Sequence, residues 1–236
     1  MIPGLRLERT ILSAEPRPRG MAWVSFTLLL FFVLSWTAWR DMFSFDFSAS
    51  REQIFQAHQY WRLFTTTAIH ADLGHFFANS LFFWIFGYFL NGYFGFWVFP
   101  VLSLFAGALI NYVTLYFYPA QTVLLGASGV VYFMVAFWVT LFYFIERGKD
   151  PLRRLLIASG VTLALLFPNT FEPHVSYLAH AVGFLFGLIF GILYFVLMST
   201  KLREAEQWRL TDLEPDFDYH PEPILTESPP CADNSF

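Results

Sequence analysis

Long apolar stretches separated by short polar segments dominate the hydrophobic pattern of this chain. Six of them approach the roughly 20 residues that a helix needs to cross the hydrocarbon core of a bilayer. They are Ala22–Trp39, Gly74–Leu90, Phe96–Phe117, Ser128–Ile145, Leu152–Phe167 and Tyr177–Met198. Lipid offers the backbone no hydrogen-bond partner, so each stretch is predicted to be an α-helix. The pattern therefore predicts an all-α, polytopic membrane protein built as a bundle of six transmembrane helices.

The composition supports this class. Of the 236 residues, 56% are hydrophobic and only 14% are charged, whereas soluble domains carry roughly 25% charged residues. The single cysteine, Cys231, excludes an internal disulfide and a cysteine-based metal cluster. We expect no cofactor, no metal ion and no nucleic-acid partner, and the bilayer itself is the expected surrounding.

Basic residues predict the orientation of the bundle. They gather before the first apolar stretch, between the fourth and fifth, and after the last; these are Arg6, Arg9, Arg17, Arg19, Arg147, Lys149, Arg153, Arg154, Lys201, Arg203 and Arg209. Cytoplasmic loops carry an excess of lysine and arginine. Both termini are therefore predicted to be cytoplasmic, and the minimal architecture suits a bacterial plasma membrane.

The chain divides into three predicted segments. Residues 1–20 form a short basic tail, residues 21–198 form the six-helix domain, and residues 199–236 form a second tail. That last segment holds nine acidic against three basic residues and is rich in proline. Such a composition predicts disorder. The long aromatic loop from Arg40 to Leu73 is predicted to lie at the membrane interface.

Ser128 is the first candidate for chemistry. It lies near the N-terminus of the fourth apolar helix, between Gly126 and Gly129, which allow a close approach to its hydroxyl. The free backbone N–H groups of a helix N-terminus favour negative charge, as a nucleophile's oxyanion requires. Small residues also pack membrane helices together, and taken alone this explanation is the commoner one.

His180 lies in the last apolar helix, with no acidic residue in any apolar stretch to pair with it. A neutral imidazole can accept a proton. Gly183 and Gly187 follow on the same face and allow a neighbouring helix, such as the one carrying Ser128, to approach closely. The alternative is a histidine bonded to a backbone carbonyl, with glycines that serve packing alone.

His75 and Asn79 share one face of the second helix, four residues apart. An imidazole N–H and a carboxamide can both donate to an oxyanion, although a purely structural pair is the alternative. Tyr132 lies one turn after Ser128 and could stack on His180, in place of the acid of a catalytic triad. His70, off that face, is assigned a structural role.

Four motifs in this order resemble the rhomboid family of intramembrane serine proteases. They are Trp61-Arg62 in the first loop, His75-x-x-x-Asn79, Gly126-x-Ser128-Gly129 and His180-x-x-Gly183-x-x-x-Gly187. The resemblance extends from about Ala22 to Met198 and leaves both tails outside.

The resemblance implies a dyad in which Ser128 is the nucleophile and His180 the general base. The oxyanion hole would consist of the side chains of His75 and Asn79 with the backbone N–H of Ser128. The supporting residues would be Gly126, Gly129, Tyr132, Gly183, Gly187, Trp61 and Arg62, the last two stabilising the first loop. By family analogy, the fifth helix and the loop Pro168–Ser176 would form a movable gate.

The function expected from this resemblance is hydrolysis of peptide bonds in or near transmembrane helices of membrane-protein substrates. One alternative is a proteolytically inactive rhomboid-like scaffold that binds transmembrane clients, and the presence of both Ser128 and His180 argues against it. Another is a transporter, which would place ionisable residues along several helices and often repeat one half of the chain. In this sequence the polar residues gather toward one side, no repeat appears, and no carboxylate lies in an apolar stretch. The sequence does not determine the oligomeric state.

Overall fold

The computed structural model describes residues 5–43, 46–166 and 175–210, and most of these residues are helical. The helices are α1 (Arg19–Trp39), α2 (Arg51–Phe55), α3 (Arg62–Ala68), α4 (Leu73–Phe89), α5 (Ser103–Phe117), α6 (Ser128–Ile145), α7 (Pro151–Leu166) and α8 (Tyr177–Glu204). A 3₁₀ turn at Ile11–Ser13 and π-helical segments at Leu90–Phe94 and Trp97–Leu102 complete the helical parts. The short strands are β1 (Leu5–Arg9), β2 (Ala49–Ser50), β3 (Val123–Leu124) and β4 (Gln207–Leu210). The prediction of an all-α polytopic protein is confirmed.

Five helical stretches within the described ranges are long and apolar enough to cross a membrane. They are Arg19–Trp39, Leu73–Phe94, Trp97–Phe117, Ser128–Ile145 and Tyr177–Glu204. The fifth predicted stretch corresponds to α7, which has 16 residues. This is fewer than the roughly 20 residues that a perpendicular span requires. The count of six transmembrane helices therefore stays a prediction.

The helices next to the candidate residues begin at side-chain caps. Asp72 accepts a hydrogen bond from the backbone N–H of His75 at 2.8 Å and starts α4. Ser176 accepts one from the N–H of Ala179 at 3.2 Å and starts α8. Each cap satisfies one of the free N–H groups of a first turn. The caps fix where His75 and His180 lie along their helices.

Helix α6 is the centre of the bundle and packs against α4, α5, α7 and α8. Its side chains Phe133, Met134 and Phe137 are at most 1% exposed. The outer helices instead present large apolar side chains, such as Phe26 on α1 and Leu81 on α4, each 60% exposed. Such exposure suits a lipid surrounding, since acyl chains are as apolar as these side chains.

Parts of both predicted tails are folded in the structure. Strands β1 and β4 pair antiparallel, and α8 continues to Glu204, six residues beyond the predicted end at Met198. The pairing satisfies backbone groups of both tails, and the bidentate bond between Arg147 and Glu206 joins the residue before β4 to the turn before α7. The acidic segment from residue 211 and the loop 167–174 lie outside the described residues.

The first loop is folded at the opposite end of the bundle from the termini. Strand β2 pairs antiparallel with β3, so that Ala49 faces Leu124. A buried apolar cluster, which we call the first-loop platform, lies beneath this pairing. It consists of Ala49, Ile54, Leu63, Ala108, Leu115 and Leu124. The platform connects the first loop with α5 and with the segment that leads into α6.

Candidate active site

Ser128 is the first residue of α6, and a tight turn at Gly126 precedes it. Gly126 has a φ of +106°, a backbone conformation that L side chains rarely adopt. A Cβ at this position would also lie 2.8 Å from Cε1 of His75. The backbone conformation requires glycine, and the absence of a Cβ leaves room for the His75 ring. The turn therefore lies directly against the imidazole of His75.

Buried hydrogen bonds hold the backbone that leads to Ser128. The N–H of Gly126 donates to the carbonyl of Thr66 at 2.9 Å, and the Thr66 hydroxyl donates to the carbonyl of Leu124. Thr66 is fully buried, so these bonds are shielded from competition with water. The position of Ser128 is thus set by α3 and β3 as well as by its own helix.

On its other side, α6 meets α8 at backbone-contact distance. A Cβ at Gly183 would lie 2.2 Å from the carbonyl oxygen of Gly129, and one at Gly187 would lie 2.4 Å from that of Phe133. Only glycines at these places allow the two backbones to approach so closely. Gly129, which directly follows Ser128, also lies close to Ala179, since a Cβ there would be 3.5 Å from the Ala179 carbonyl oxygen.

His180 lies in this interface with its ring between two tyrosines. Its ring stacks on that of Tyr132, with centroids 4.0 Å apart and planes inclined by 11°. Tyr177 meets the same ring edge-on at 6.0 Å. The Nε2 atom of His180 is buried and has no hydrogen-bond partner in the part of the chain that the structure describes. A Ser128–His180 hydrogen bond is therefore not formed, although both residues belong to the same helix contact.

His75 and Asn79 lie on α4, next to the turn at Gly126. Asn79 is 9% exposed, and its Nδ2 donates to the backbone carbonyl of His75 at 3.0 Å. A carboxamide has two N–H donors, and this bond engages one of them. The His75 ring contacts Gly126, two residues before Ser128, so α4 meets the chain just before α6, and α8 meets α6 at Gly129.

His70 has a more specific position than its assigned structural role indicated. Its Nε2 lies 3.4 Å from the backbone nitrogen of Ala127, and its Nδ1 lies 3.4 Å from the hydroxyl of Ser35. Accepting from Ala127 requires a neutral ring with its proton on Nδ1. Burial, together with the nearby His75, lowers the pKa of His70 to about 4. The neutral ring thus supports the residue immediately before Ser128.

The family comparison agrees with this arrangement. The model of the rhomboid domain matches residues 57–197, which is more than half of the chain. The chain belongs to the rhomboid family. This family contains proteases as well as inactive homologues. The comparison with curated proteins gave no match. All the candidate residues lie inside the matched range, whereas β1 and β4 lie outside it.

Within this rhomboid domain, Arg62 ties the first loop together. It is 7% exposed, and its guanidinium donates to the backbone carbonyls of Asp46 and Ser48 and to the side chain of Gln59. It also lies 4.7 Å from the ring centroid of Trp61. These contacts hold Trp61 and Arg62 within the first loop.

Three residues that support the candidate site were missed, in part or in whole, by the sequence analysis. Thr66 and Ser176 were not assigned, and His70 was left with a general structural role. The available signals were weak: a threonine run at residues 65–67 and a serine before an apolar helix, which is a common N-cap. Among the described residues, no group of three or more His, Cys, Asp or Glu side chains is arranged to hold a metal ion.

Proposed function

We propose that this rhomboid-family protein is an intramembrane serine endopeptidase that hydrolyses peptide bonds in or near the transmembrane helices of membrane-protein substrates. Ser128 is the nucleophile and His180 the general base. The side chains of His75 and Asn79, with the backbone N–H of Ser128, stabilise the oxyanion.

The observation that carries this proposal is the stacked pair of Tyr132 and His180. Tyr132 lies one turn after Ser128 on α6, so a ring held against it lies beside that turn of the helix. The glycine contact between Gly183 and Gly129 supports the same proximity from the backbone side. Hydrogen bonds between nucleophile and base are often long in free enzymes and shorten when substrate binds.

The proposed reaction has two stages. Nε2 of His180 takes the proton of the Ser128 hydroxyl while the oxygen attacks the carbonyl carbon, and the resulting oxyanion accepts hydrogen bonds from the donors on α4 and from the Ser128 N–H. The C–N bond then breaks, and the imidazolium gives its proton to the leaving amine. In the second stage His180 deprotonates a water molecule, which attacks the acyl-enzyme. The ester C–O bond then breaks, the imidazolium returns its proton to the Ser128 oxygen, and the carboxylic acid leaves.

The location of Ser128 supports a shallow site. It is the first residue of α6, and the 18 residues of that helix span about 27 Å toward the end that carries the termini. A nucleophile at this depth is close to water, which the second stage consumes. A substrate helix must also unwind locally, because helical hydrogen bonds occupy its carbonyl groups.

The test compares the full-length protein in liposomes with two serine variants. We expect the wild type to cleave a model transmembrane substrate and to react with a fluorophosphonate probe, and Ser128→Ala to do neither. Ser199→Ala, near the other end of α8, is the matched control and should retain both activities. Asn79→Ala should lower turnover by about tenfold to a thousandfold, the range for the loss of one oxyanion donor.

The outcomes separate the two kinds of rhomboid-family member. Cleavage that persists in Ser128→Ala would disprove the nucleophile assignment. If neither the wild type nor the control variant reacts with the probe while both bind the substrate, the protein is a non-proteolytic member of the family instead.

A further inference from the structure

A hydrogen bond joins two segments at the end of the bundle that carries Ser128. The hydroxyl oxygens of Tyr118 and Ser176 lie 2.6 Å apart, although 58 residues separate them in sequence. Tyr118 directly follows the last residue of α5, and Ser176 directly precedes the first residue of α8. This bond therefore connects the end of one helix to the start of the helix that carries His180.

Ser176 is in turn bonded to the first turn of α8. Its hydroxyl accepts from the N–H of Ala179 at 3.2 Å, and its carbonyl accepts from the N–H of His180 at 3.2 Å. Capping bonds of this kind determine where a helix begins and how its first turn is oriented. A displacement of Ser176 is thus transmitted to the backbone of His180.

Tyr118 is a fixed partner for this bond. It is partly buried and packs against the first-loop platform. Its backbone N–H donates to the carbonyl of Leu115 at 3.3 Å, and its carbonyl accepts from Arg51 at 3.3 Å. The hydroxyl of Tyr118 is therefore held from the α5 side before it meets Ser176.

The same platform also supports the segment that leads to Ser128. Leu124 belongs both to the platform and to β3, and its carbonyl accepts a hydrogen bond from Thr66. Thr66 in turn binds the N–H of Gly126. The same buried cluster thus contacts both segments. Leu124, which precedes α6, belongs to it, and Tyr118, which is hydrogen-bonded to the residue before α8, packs against it.

His180 depends on such support because its ring has few polar restraints. Among the described residues no carboxylate forms an ion pair or hydrogen bond with it, and its Nε2 has no partner. In a catalytic triad the acid orients the histidine. Here stacking on Tyr132 orients the plane of the ring, and the start of α8 determines the position of its backbone.

We propose that Tyr118 is a positioning residue that, through its hydrogen bond to Ser176, holds His180 at the correct distance from Ser128. This inference rests on the proposed function, because it assigns a partner to the same dyad. It adds the end of α5 to the site, a segment that contributes none of the candidate residues.

The test uses the full-length protein in liposomes. Tyr118→Phe removes only the hydroxyl, and we expect kcat to fall about tenfold with KM changed less than twofold, since small misplacements of a catalytic group slow the chemical step. The rate of fluorophosphonate labelling at Ser128 should fall by a similar factor. Tyr116→Phe, an exposed tyrosine on α5, is the matched control and should match the wild type.

Variants of Ser176 test the connection itself. Ser176→Ala should reproduce the loss, and Ser176→Thr should restore most of the activity because it keeps both the hydroxyl and the cap. The double variant Tyr118→Phe with Ser176→Ala should be no slower than the slower single variant, as expected for two residues that act through one bond. A fully additive double variant would contradict the inference.

Two further outcomes distinguish this inference from the proposed function. If labelling depends on Ser128 but Tyr118→Phe labels as fast as the wild type, the positioning role is refuted and the dyad stands. If the wild type shows no labelling that depends on Ser128, the dyad and the positioning role are refuted together. The positioning role would also be refuted if the loss of activity in Tyr118→Phe and Ser176→Ala only accompanied a lower melting temperature and Ser176→Thr were as inactive as Ser176→Ala.

Discussion

Helices α7 and α8, which line one cleft together with the central helix α6, pack against α6 in different ways. Helix α8 approaches α6 at Gly183, Gly187 and Gly191, where an added Cβ would lie 2.2, 2.4 and 2.8 Å from the nearest atom of α6. Helix α7 packs on α6 through larger side chains and leaves an apolar cleft of about 520 Å³ toward α8. A Cβ at its Gly160 meets no described atom within 4 Å.

This difference shows where the bundle is rigid and where it can adapt. Backbone contact at glycines permits almost no relative displacement, since any shift produces overlap or a void. A cleft lined by apolar side chains can be filled by acyl chains or by a change of side-chain rotamers. The candidate dyad spans the rigid interface, whereas α7 borders the adaptable one. Three predictions test this contrast.

The largest effect is expected at the closest glycine. Gly183→Ala places a methyl group 2.2 Å from the carbonyl of Gly129, and backbone on both sides leaves no flexible group to move. Overpacking of this kind costs about 1–3 kcal/mol of unfolding free energy, or more. We expect a lower melting temperature and at least a hundredfold loss of cleavage, because Ser128 and His180 are forced apart.

Gly160→Ala on α7 is the matched control for this variant. Its new methyl group enters open space, and alanine favours the helix by up to about 1 kcal/mol relative to glycine. Cleavage and melting temperature should be equal to or above those of the wild type. If Gly183→Ala and Gly160→Ala had the same cleavage rate and melting temperature, the proposed contrast between the two interfaces would be disproved.

A smaller effect is expected from two tyrosines of α6 that face different neighbours. Tyr132 stacks on His180 of α8, whereas Tyr143 lines the cleft beside α7 and lies 4.8 Å below the guanidinium of Arg154. Tyr132→Leu should lower kcat by about tenfold to a hundredfold, because the imidazole loses its orienting partner. Tyr143→Leu should stay within about twofold of the wild type. The measurement is steady-state cleavage in liposomes, and a larger loss in the α7-facing variant would contradict us.

The third effect concerns acid, which should destabilise the segment that leads into α6 through His70. The pKa of His70 is lowered by burial to about 4 from an ordinary value of 6.5, so the unfolded chain binds a proton first as the pH falls. The stabilisation is complete above pH 6.5 and is lost progressively toward pH 4. Linkage gives a loss of about 2 kcal/mol between pH 7 and pH 5.

Thermal unfolding in detergent at pH 7 and pH 5 measures this effect. His70→Asn, which can still accept from Ala127, should show a smaller decrease in melting temperature over the same range, because it carries no titrating group. An unchanged pH dependence in this variant would show that His70 is not its source.

Hydrophobic pattern located the helices well and their ends less well. The fourth apolar stretch matches α6 residue for residue, whereas α8 runs six residues beyond its predicted end at Met198. The pattern follows the lipid-buried part of a helix. It does not detect a polar continuation such as residues 199–204, a stretch in which Leu202 is the buried residue.

The candidate site shows the same limit. Motif spacing singled out Ser128, His180, His75 and Asn79, because serine, histidine and asparagine within apolar helices are costly and few. The supports of these residues were not detectable in this way. Thr66 and Ser176 act through hydrogen bonds to segments far away in sequence, and single polar residues in loops carry no periodic signal.

The membrane class, the helical segments and the residue types available for chemistry can be read from the amino-acid sequence, because they follow from local hydrophobicity and from the cost of polar groups in lipid. The backbone contact between α6 and α8 beside Ser128 and the cleft beside α7 became visible in the folded chain alone. The same holds for the first-loop platform, which supports the segments before both α6 and α8. Such relations depend on contacts between residues distant in the chain, which no local pattern specifies.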